Sequence, residues 1–203
     1  MEIAFPSLDE RLRYKMLAAL VVPRPIAWIS TRSENGVANC APYSFFNVVS
    51  SDPPLLVVNI GTREDGGMKH SLKNILRTGE FVVNLVDEAT ANAMHVSSGE
   101  YGEDESEFDA TGLTPAPCAV VQHPRIAESP VSFECRLWKH MELPHARAIV
   151  FGEIMHLHAR DGLIDRQTHR IVDNAYEPVG RLYANGYCTT RQRFKLPGAL
   201  PPR

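Results

Sequence analysis

The most informative part of the chain reads Pro23-Arg-Pro-Ile-Ala-Trp-Ile-Ser-Thr31 and then, after a turn at Glu34-Asn-Gly36, Asn39-Cys-Ala-Pro-Tyr-Ser-Phe-Phe-Asn47. Both runs have the apolar character of strands, and the glycine between them tolerates the positive φ of a tight turn. They place an arginine, several hydroxyls and an asparagine beside a large aromatic surface. This mixture suits a flat, amphipathic ligand that carries an anionic tail.

The chain continues from these runs into a corner, a strand, a loop and a helix. Asp52-Pro-Pro54 predicts a rigid corner, because each proline fixes its own φ and restrains the residue before it. Residues 55–60 read as a continuous apolar strand, and the glycine-rich residues 61–71 lead from it to a helix. Ser71 is predicted to cap that helix and Gly79 to end it.

The remaining segments predict an antiparallel β protein. They are a first helix over 7–20 capped by Ser7 or Asp9, a strand-like run over 39–50, a strand over 80–86, a helix that Asp87 caps and that runs through Val96, and a hairpin of strands 131–137 and 147–158. Six or seven strands and three helices without β-α-β alternation fit a closed or partly split antiparallel barrel with peripheral helices. No repeat or composition break is visible, so one domain is predicted over 1–203, with the barrel at about 21–187 and a C-terminal tail at 188–203.

Composition narrows the class of protein and its partners. The 203 residues are 44% hydrophobic and 22% charged, as in an ordinary globular protein. The formal net charge of −3 argues against a nucleic-acid or anionic membrane partner. No apolar run reaches the length of a bilayer span, and no secretory signal pattern is visible at the N-terminus. The four cysteines form no CxxC pair, which predicts reduced thiols and a cytoplasmic location.

Two further groups of residues, an acidic stretch and a pair of histidines, are interpreted without a functional role. The acidic stretch from Gly99 to Asp109 is predicted as a solvated excursion packed by Tyr101 and Phe108. His156 and His158 would share one face of a strand and could offer two metal ligands, but no third ligand matches them, so no metal is predicted. The chain has no GxGxxG, P-loop or GxSxG pattern, and no catalytic side chain is assigned.

The candidate binding residues form two groups. In the first, Trp28 and either Phe45 or Phe46 would form an apolar wall. Beside it, polar groups could bind a heteroaromatic edge and a polyol chain. Those polar residues are Ser30, Thr31, Ser44, Asn47 and Ser50. In the second, Arg63 and Lys69 bring positive charge, and Ser71 with the helix start offers donors to an anion. The alternatives are that Trp28 and the phenylalanines are core residues and that Lys69 is a solvated surface lysine.

Seven short motifs give the chain a recognisable order. They are Pro23-Arg-Pro-Ile-Ala-Trp-Ile-Ser-Thr31, Ala41-Pro-Tyr-Ser-Phe-Phe46, Ser51-Asp-Pro-Pro54, Lys69-x-Ser-x-x-Asn74, Thr78-Gly-Glu-Phe-Val-Val-Asn84, Glu128-Ser-Pro130 and Pro178-Val-Gly-Arg-Leu182. From about Tyr14 to Tyr187 the chain thereby resembles the flavin reductase-like, FMN-binding split-barrel proteins. The resemblance implies a mainly β fold, a six-stranded antiparallel Greek-key split barrel, and a homodimer with FMN near the subunit interface.

The same resemblance implies an activity. The protein would be an NAD(P)H-dependent flavin reductase that supplies reduced flavin to a monooxygenase or another acceptor, with FMN bound and FAD as an alternative exchangeable substrate. A flavoredoxin-like electron carrier or flavin-binding protein without its own NAD(P)H turnover is the alternative. A third hypothesis is a barrel that has lost flavin and acts as an interaction module.

Site residues follow from the resemblance by position. Contacts to the flavin ring and ribityl chain would come from Trp28, Ser30 and Thr31, further polar contacts from Ser44, Asn47 and Ser50, and phosphate contacts from Arg63, Lys69 and Ser71. Two positions depart from the family pattern. His70 replaces a common aspartate, which exchanges a carboxylate for a possible cation. Tyr183 and Ala184 replace a common glycine pair, and Tyr183 would alter access for nicotinamide if it lies near the ring.

Overall fold

The computed structural model describes residues 1–194, 196 and 198. The helices are α1 (Glu10–Leu20), α2 (His70–Thr78), α3 (Ala91–Val96) and α4 (Glu107–Thr111), and a 3-10 turn covers Phe5–Ser7. The strands are β1 (Ala27–Arg32), β2 (Ala38–Tyr43), β3 (Phe46–Ser51), β4 (Pro54–Ile60), β5 (Glu80–Asn84), β6 (Pro115–Ala116), β7 (Arg125–Ile126), β8 (Val131–Leu143), β9 (Arg147–Ala159), β10 (Val179–Arg181) and β11 (Tyr187–Thr189). The end of the predicted tail, beyond 194 except for 196 and 198, lies outside the described residues.

The main sheet is antiparallel throughout, in the order β2-β1-β5-β8-β9-β4-β3. Strands β2 and β3, which are neighbours along the chain, form its two ends, so the sheet is split between them. The described sheet has seven strands where the family resemblance implied six, and the predicted fold class is confirmed. The sequence suggested one run over 39–50, but the chain turns at Ser44, and its two halves pair with different strands, β1 and β4.

Two apolar clusters pack on opposite sides of β1, as the alternation of side chains along a strand requires. Ile29 belongs to a cluster with Leu56, Phe81 and Val150, whereas Trp28 belongs to a second cluster with Met94 and Phe108, among others. The Phe81 ring packs directly over Gly152 of β9, where any side chain would collide with the ring. The hairpin of β8 and β9 closes the first cluster and was predicted from the alternating pattern.

The helix boundaries confirm part of the prediction and correct the rest. Asp9 caps α1 by accepting a hydrogen bond from the Leu12 amide, and Gly79 ends α2 with φ of 70°. The predicted cap at Ser71 is wrong, because α2 begins at His70 and its N-cap is Lys69, two residues before Ser71. The helix predicted after a cap at Asp87 begins later than expected: α3 starts at Ala91, after a turn in which the Asp87 carboxylate accepts from the Thr90 amide.

No helix among the described residues combines the length and the apolar character that crossing a membrane requires.

Candidate functional site

Two adjoining recesses open beside β2 and share Pro42, Tyr43 and Ser98 in their walls. The lining of the first, which we call the basic recess, includes Asn39, Tyr43, Arg63, Lys69, Ser71 and Glu100. The lining of the second, the aromatic recess, includes Tyr14, Arg24, Tyr43, Ser44, Arg181 and Tyr187. Their volumes are about 60 and 170 Å³. Since a water molecule needs about 10–15 Å³ by this measure, the basic recess accommodates a group of about phosphate size.

The start of α2 supplies the positive charge of the basic recess. Lys69 occupies the N-cap position, and no side chain caps the first amide groups of the helix. The Arg63 side chain, 21% exposed, reaches the same recess from the loop before the helix, beside the Lys69 side chain, which is 27% exposed. Helix amides without a side-chain cap and two partly buried cations together form a site for an anion.

Glu100 faces both cations from the loop that follows α3. Its Oε1 accepts a hydrogen bond from Lys69 Nζ at 2.5 Å, and its Oε2 lies 3.4 Å from an Arg63 guanidinium nitrogen. The hydrogen bond from Lys69 lowers the pKa of Glu100, despite its partial burial. Glu100 is therefore ionised at neutral pH, and the basic recess contains a carboxylate as well as two cations.

His70 does not add a third cation to the recess. Burial, together with the neighbouring Arg63 charge, lowers the pKa of His70. Its Nε2 lies 3.0 Å from an Arg63 guanidinium nitrogen, and the guanidinium can only donate. The imidazole is thus neutral and accepts from Arg63, which fixes the direction of that guanidinium. The cation suggested for this position from the sequence is replaced by a hydrogen-bond acceptor.

A chain of buried polar side chains lies beneath the basic recess. Ser71 donates to Asn39 Oδ1 at 3.0 Å, and Asn39 Nδ2 donates to Glu107 Oε1 at 2.5 Å. On the other side, Asn74 donates to Thr31 Oγ1 at 3.0 Å, and Thr31 donates weakly to Asn39 at 3.3 Å. Asn39 thus joins α2, β1 and α4, and it fixes the hydroxyl of Ser71 at the recess floor.

Glu107 is an acidic group in an environment that disfavours its charge. It is 3% exposed, and its second carboxyl oxygen accepts from the Cys40 amide at 3.1 Å. Burial is the largest influence and raises the pKa of Glu107 to about 7. The Lys69 charge and the hydrogen bonds from Cys40 and Asn39 act in the opposite direction and are outweighed.

Tyr43 carries a buried hydroxyl at the wall common to both recesses. Its side chain is 9% exposed, and the hydroxyl oxygen has no hydrogen-bond partner within the described residues. A buried donor without a partner is costly, and such atoms often mark a place for a ligand or an ordered water. The Tyr43 hydroxyl and the cations at Arg63 and Lys69 therefore fit a ligand that carries both an anionic group and a hydrogen-bond acceptor.

Arg24 organises the aromatic recess. Its guanidinium donates to the carbonyls of Ala18, Val21 and Leu182, and its Nε donates to Ser44 Oγ at 3.3 Å. These bonds tie the end of α1 to the connection between β2 and β3 and to the segment after β10. Across the recess, the Arg181 guanidinium stacks on the Tyr187 ring. Tyr183, at the turn between β10 and β11, is 51% exposed, and the ring that lines the recess from this hairpin is that of Tyr187.

The residues of β1 that were predicted to contact the ligand lie in the interior. Trp28, Ser30 and Thr31 are each 0% exposed. Trp28 Nε1 donates to Ser97 Oγ at 2.9 Å, and Ser30 Oγ donates to the Pro124 carbonyl at 2.6 Å. Trp28 thereby holds the segment next to Ser98, which lines both recesses, whereas Pro124 lines neither of them. These three side chains present no surface to a ligand in this structure, and their flavin contacts stay a prediction.

The structure separates the other predicted residues. Arg63, Lys69 and Ser71 converge in the basic recess, and Ser44 lines the aromatic recess. Asn47 is exposed and accepts from the Val48 amide, and Ser50 accepts from the Asp52 amide farther along β3. Neither Asn47 nor Ser50 belongs to the described lining of the two recesses.

Sequence reasoning missed the acidic residues of the site. The stretch 99–109 was predicted as a solvated excursion, and Phe108 does pack in the interior at 1% exposure. Glu100 and Glu107, however, are not solvated charges: the first pairs with the cations of the basic recess, and the second is buried beneath it. No pattern in this acidic run distinguishes these two carboxylates from their exposed neighbours. Asn39 and Tyr43 lie in the aromatic and polar run over 39–47, but no role was predicted for either.

A cluster with ligand-type atoms exists on the far hairpin. Side-chain atoms of Cys118, Glu134 and His158 lie within 4.8 Å of one another. The Glu134 carboxylate, however, accepts bonds from three successive backbone amides, those of residues 119–121, and lies 2.5 Å from His158 Nε2. Burial also raises the pKa of Cys118 to about 12, so the thiol is protonated. This cluster anchors a loop to β8 and β9.

Comparison with known proteins gives the relatives of this chain. A family model described as a flavin reductase-like domain matches residues 19–186. An uncharacterised protein of Aquifex aeolicus is 40% identical over 196 residues, which cover 97% of this chain and 99% of that protein.

Two solved structures cover the fold end to end. The crystal structure of 2-nitrobenzoate 2-nitroreductase NbaA from Pseudomonas fluorescens has a TM-score of 0.89 and 36% identity, covering 100% of this chain and 99% of that one. Component B of nitrilotriacetate monooxygenase from Bacillus cereus has a TM-score of 0.89 and 28% identity, covering 97% and 98%.

Proposed function

This chain belongs to the flavin reductase-like family of oxidoreductases, and from that membership we propose that it is an FMN-binding flavin reductase that takes electrons from NAD(P)H. The observation that carries the proposal is the convergence of Arg63, Lys69 and the start of α2 on one recess of phosphate size. The adjoining aromatic recess lies on the side where the rest of a flavin mononucleotide would continue. Bound FMN would supply the two-electron redox chemistry itself.

Each part of the protein has a stated task in this proposal. Lys69 and Arg63 bind the phosphate, assisted by the first backbone amides of α2, including that of Ser71. The Tyr43 hydroxyl donates to the ligand between the two recesses, and Ser44 offers a polar contact beyond it. Asn39 keeps the Ser71 hydroxyl in place. The β1 residues hold the walls of the cleft through bonds such as that from Trp28 to Ser97.

An absorption and turnover experiment tests this function. Purified protein is titrated with FMN, and NADH and NADPH are then added to separate anaerobic samples. We expect a shifted flavin spectrum on binding and bleaching of the oxidised flavin band with at least one of the two nicotinamides. Protein that binds neither FMN nor FAD would contradict the proposal. The control variant is Lys73→Gln, one helical turn beyond Lys69, and it should bind flavin as the native protein does.

The flavoredoxin-like electron carrier remains the second candidate function. It was favoured by Tyr183, which could have covered the ring, but this side chain is half exposed at a turn, and Tyr187 lines the recess. An open recess supports direct access for nicotinamide. Tight FMN that is reduced only by a protein donor, with no bleaching by NADH or NADPH, would establish the carrier instead.

The acceptor of the electrons is proposed from the relatives. One similar structure is a monooxygenase component, and another is a nitroreductase that acts on 2-nitrobenzoate. We therefore propose that the reduced flavin serves either a partner monooxygenase or a small aromatic acceptor. Oxidation of pre-reduced protein by each acceptor class under anaerobic conditions distinguishes the two.

A homodimer is proposed from an exposed apolar surface. Helix α1 exposes Leu12, Leu17 and Leu20 by 42–70%, and the outer strand β3 exposes Val48 and Val49 by more than half. Large exposed apolar patches mark interfaces between proteins, which supports a dimer. Light scattering should give twice the mass of one chain, and Val48→Lys should shift the mass toward that of a monomer.

A cytoplasmic location is proposed because all four cysteines are free thiols.

A further inference from the structure

We propose that Glu100 is an intramolecular competitor for the phosphate of FMN and thereby keeps the flavin exchangeable. This inference rests on the proposed function, because it concerns the same recess. Glu100 makes the two contacts that a phosphate oxygen would make there: one to Lys69 Nζ at 2.5 Å and one to the Arg63 guanidinium at 3.4 Å. It makes them from a loop that belongs to neither cation's own element.

The geometry brings the carboxylate and a bound phosphate into direct conflict. The basic recess has room for about one group of phosphate size, and Glu100 is part of its lining. A phosphate that reaches Lys69 and Arg63 therefore meets a negative carboxylate at the same two cations. Like charges in a partly buried site repel each other more strongly than they do in bulk water.

The ion pairs of Glu100 are weak enough for a phosphate to displace the carboxylate from the two cations, and strong enough to lower the affinity for that phosphate. The side chains of Glu100, Lys69 and Arg63 are 28%, 27% and 21% exposed, so each remains within reach of solvent. Partly exposed pairs of this kind are worth only about 1 kcal/mol. The carboxylate can rotate into solvent when a phosphate enters, at a modest cost in affinity. A flavin held in this way dissociates faster than one held by two unpaired cations.

The chain offers a matched control one helical turn away. Glu103 pairs with Lys73, and both side chains are 52% exposed. Glu103 follows Glu100 in the same loop, and Lys73 follows Lys69 on the same helix, but neither Glu103 nor Lys73 lines the basic recess. Glu103→Gln removes the same charge from the same loop without opening a phosphate contact, so it controls for the general change in charge.

The test compares FMN with riboflavin, which lacks the phosphate. Dissociation constants for both flavins are measured by flavin fluorescence on the native protein, Glu100→Gln and Glu103→Gln, and the FMN dissociation rate is measured by stopped flow. We expect Glu100→Gln to bind FMN about fivefold tighter, the factor that corresponds to about 1 kcal/mol. FMN dissociation should slow by a similar factor, while riboflavin affinity and both affinities of Glu103→Gln stay unchanged.

The outcomes separate this inference from the function on which it rests. Unchanged or weaker FMN binding in Glu100→Gln, with normal binding by the native protein, would overturn the competitor role and leave the function intact. Equal tightening for riboflavin would also overturn it, because the effect would then not involve the phosphate. Absence of flavin binding by all three proteins would overturn both. Far-ultraviolet circular dichroism checks that the variants are folded.

Discussion

Strand β1 and the start of α2 both carry polar residues of the predicted site, yet the fold treats them in opposite ways. Trp28, Ser30 and Thr31 on β1 have no exposed surface, whereas Arg63 and Lys69 keep 21% and 27% of their side chains exposed at a recess. The polar groups of the β1 side chains form their hydrogen bonds inside the protein. The residues near α2 retain donors for a ligand. The polar residues predicted from the sequence thus divide into those that hold the fold together and those that remain available to a ligand.

The largest expected effect concerns the framework region. Trp28→Ala should destabilise the fold by about 3–5 kcal/mol, because it removes a fully buried indole and leaves Ser97 without its donor. Urea unfolding measures this, and Trp138→Ala, at a position 52% exposed, is the control that should cost far less. Equal losses for the two tryptophans would break the distinction between the regions.

The second prediction concerns the recess region. Lys69→Gln should weaken FMN binding by about 2 kcal/mol, roughly thirtyfold, because a charge-assisted bond to the phosphate is lost. Riboflavin affinity and the unfolding free energy should change little. Isothermal titration calorimetry with both flavins measures the effect, and Lys73→Gln serves as the control. A loss of riboflavin affinity as large as that of FMN would place Lys69 away from the phosphate.

The third prediction uses the pH dependence of Glu107. Its pKa in the folded protein, about 7, exceeds its ordinary value of 4.5, so the folded state binds more protons than the unfolded state between these values. Stability should therefore fall by about 2–3 kcal/mol as the pH rises through this window. Unfolding curves at pH values from 5 to about 8 measure the slope. Glu107→Gln should flatten it and the exposed Asp109→Asn should not; an identical slope in Glu107→Gln would contradict the assignment.

The smallest effect is expected at the wall between the recesses. Tyr43→Phe removes a buried hydroxyl that has no partner in the described structure, so stability should stay constant or rise slightly. If that hydroxyl donates to the flavin, FMN affinity should fall by about 1 kcal/mol, roughly fivefold. Thermal unfolding and fluorescence titration measure the two effects on the same samples. A drop in stability with unchanged affinity would show that the hydroxyl serves the fold alone.

Much of the fold was accessible from local pattern. Alternation identified the β8–β9 hairpin, and the glycine at position 79 marked the end of α2 through its positive φ. The run over 39–50 was not resolved into two strands, because the choice of a pairing partner for β2 and β3 is made by distant segments. The cap of α2 failed for a related reason: the Ser71 hydroxyl found a better partner in Asn39 across the fold.

The sequence pointed to the cations of the basic recess, but not to its carboxylates or to the burial of the β1 residues. Arg63 and Lys69 could be identified because a cation before a helix start has a direct physical meaning for anions. The burial of Trp28 and Thr31 could not, since an aromatic or hydroxyl residue on a strand has the same pattern on either face. Glu100 and Glu107 were hidden in an acidic run, because only the fold brings α4 and its preceding loop against α2 and β2.

A crystal structure of the protein with FMN tests the central claim most directly. We expect the phosphate in the basic recess, within hydrogen-bonding distance of Lys69 Nζ and the Ser71 amide, with the Glu100 carboxylate turned away from Lys69. The flavin ring should extend toward the aromatic recess, past Tyr43. A phosphate bound elsewhere, with the Lys69–Glu100 pair unchanged, would contradict the account.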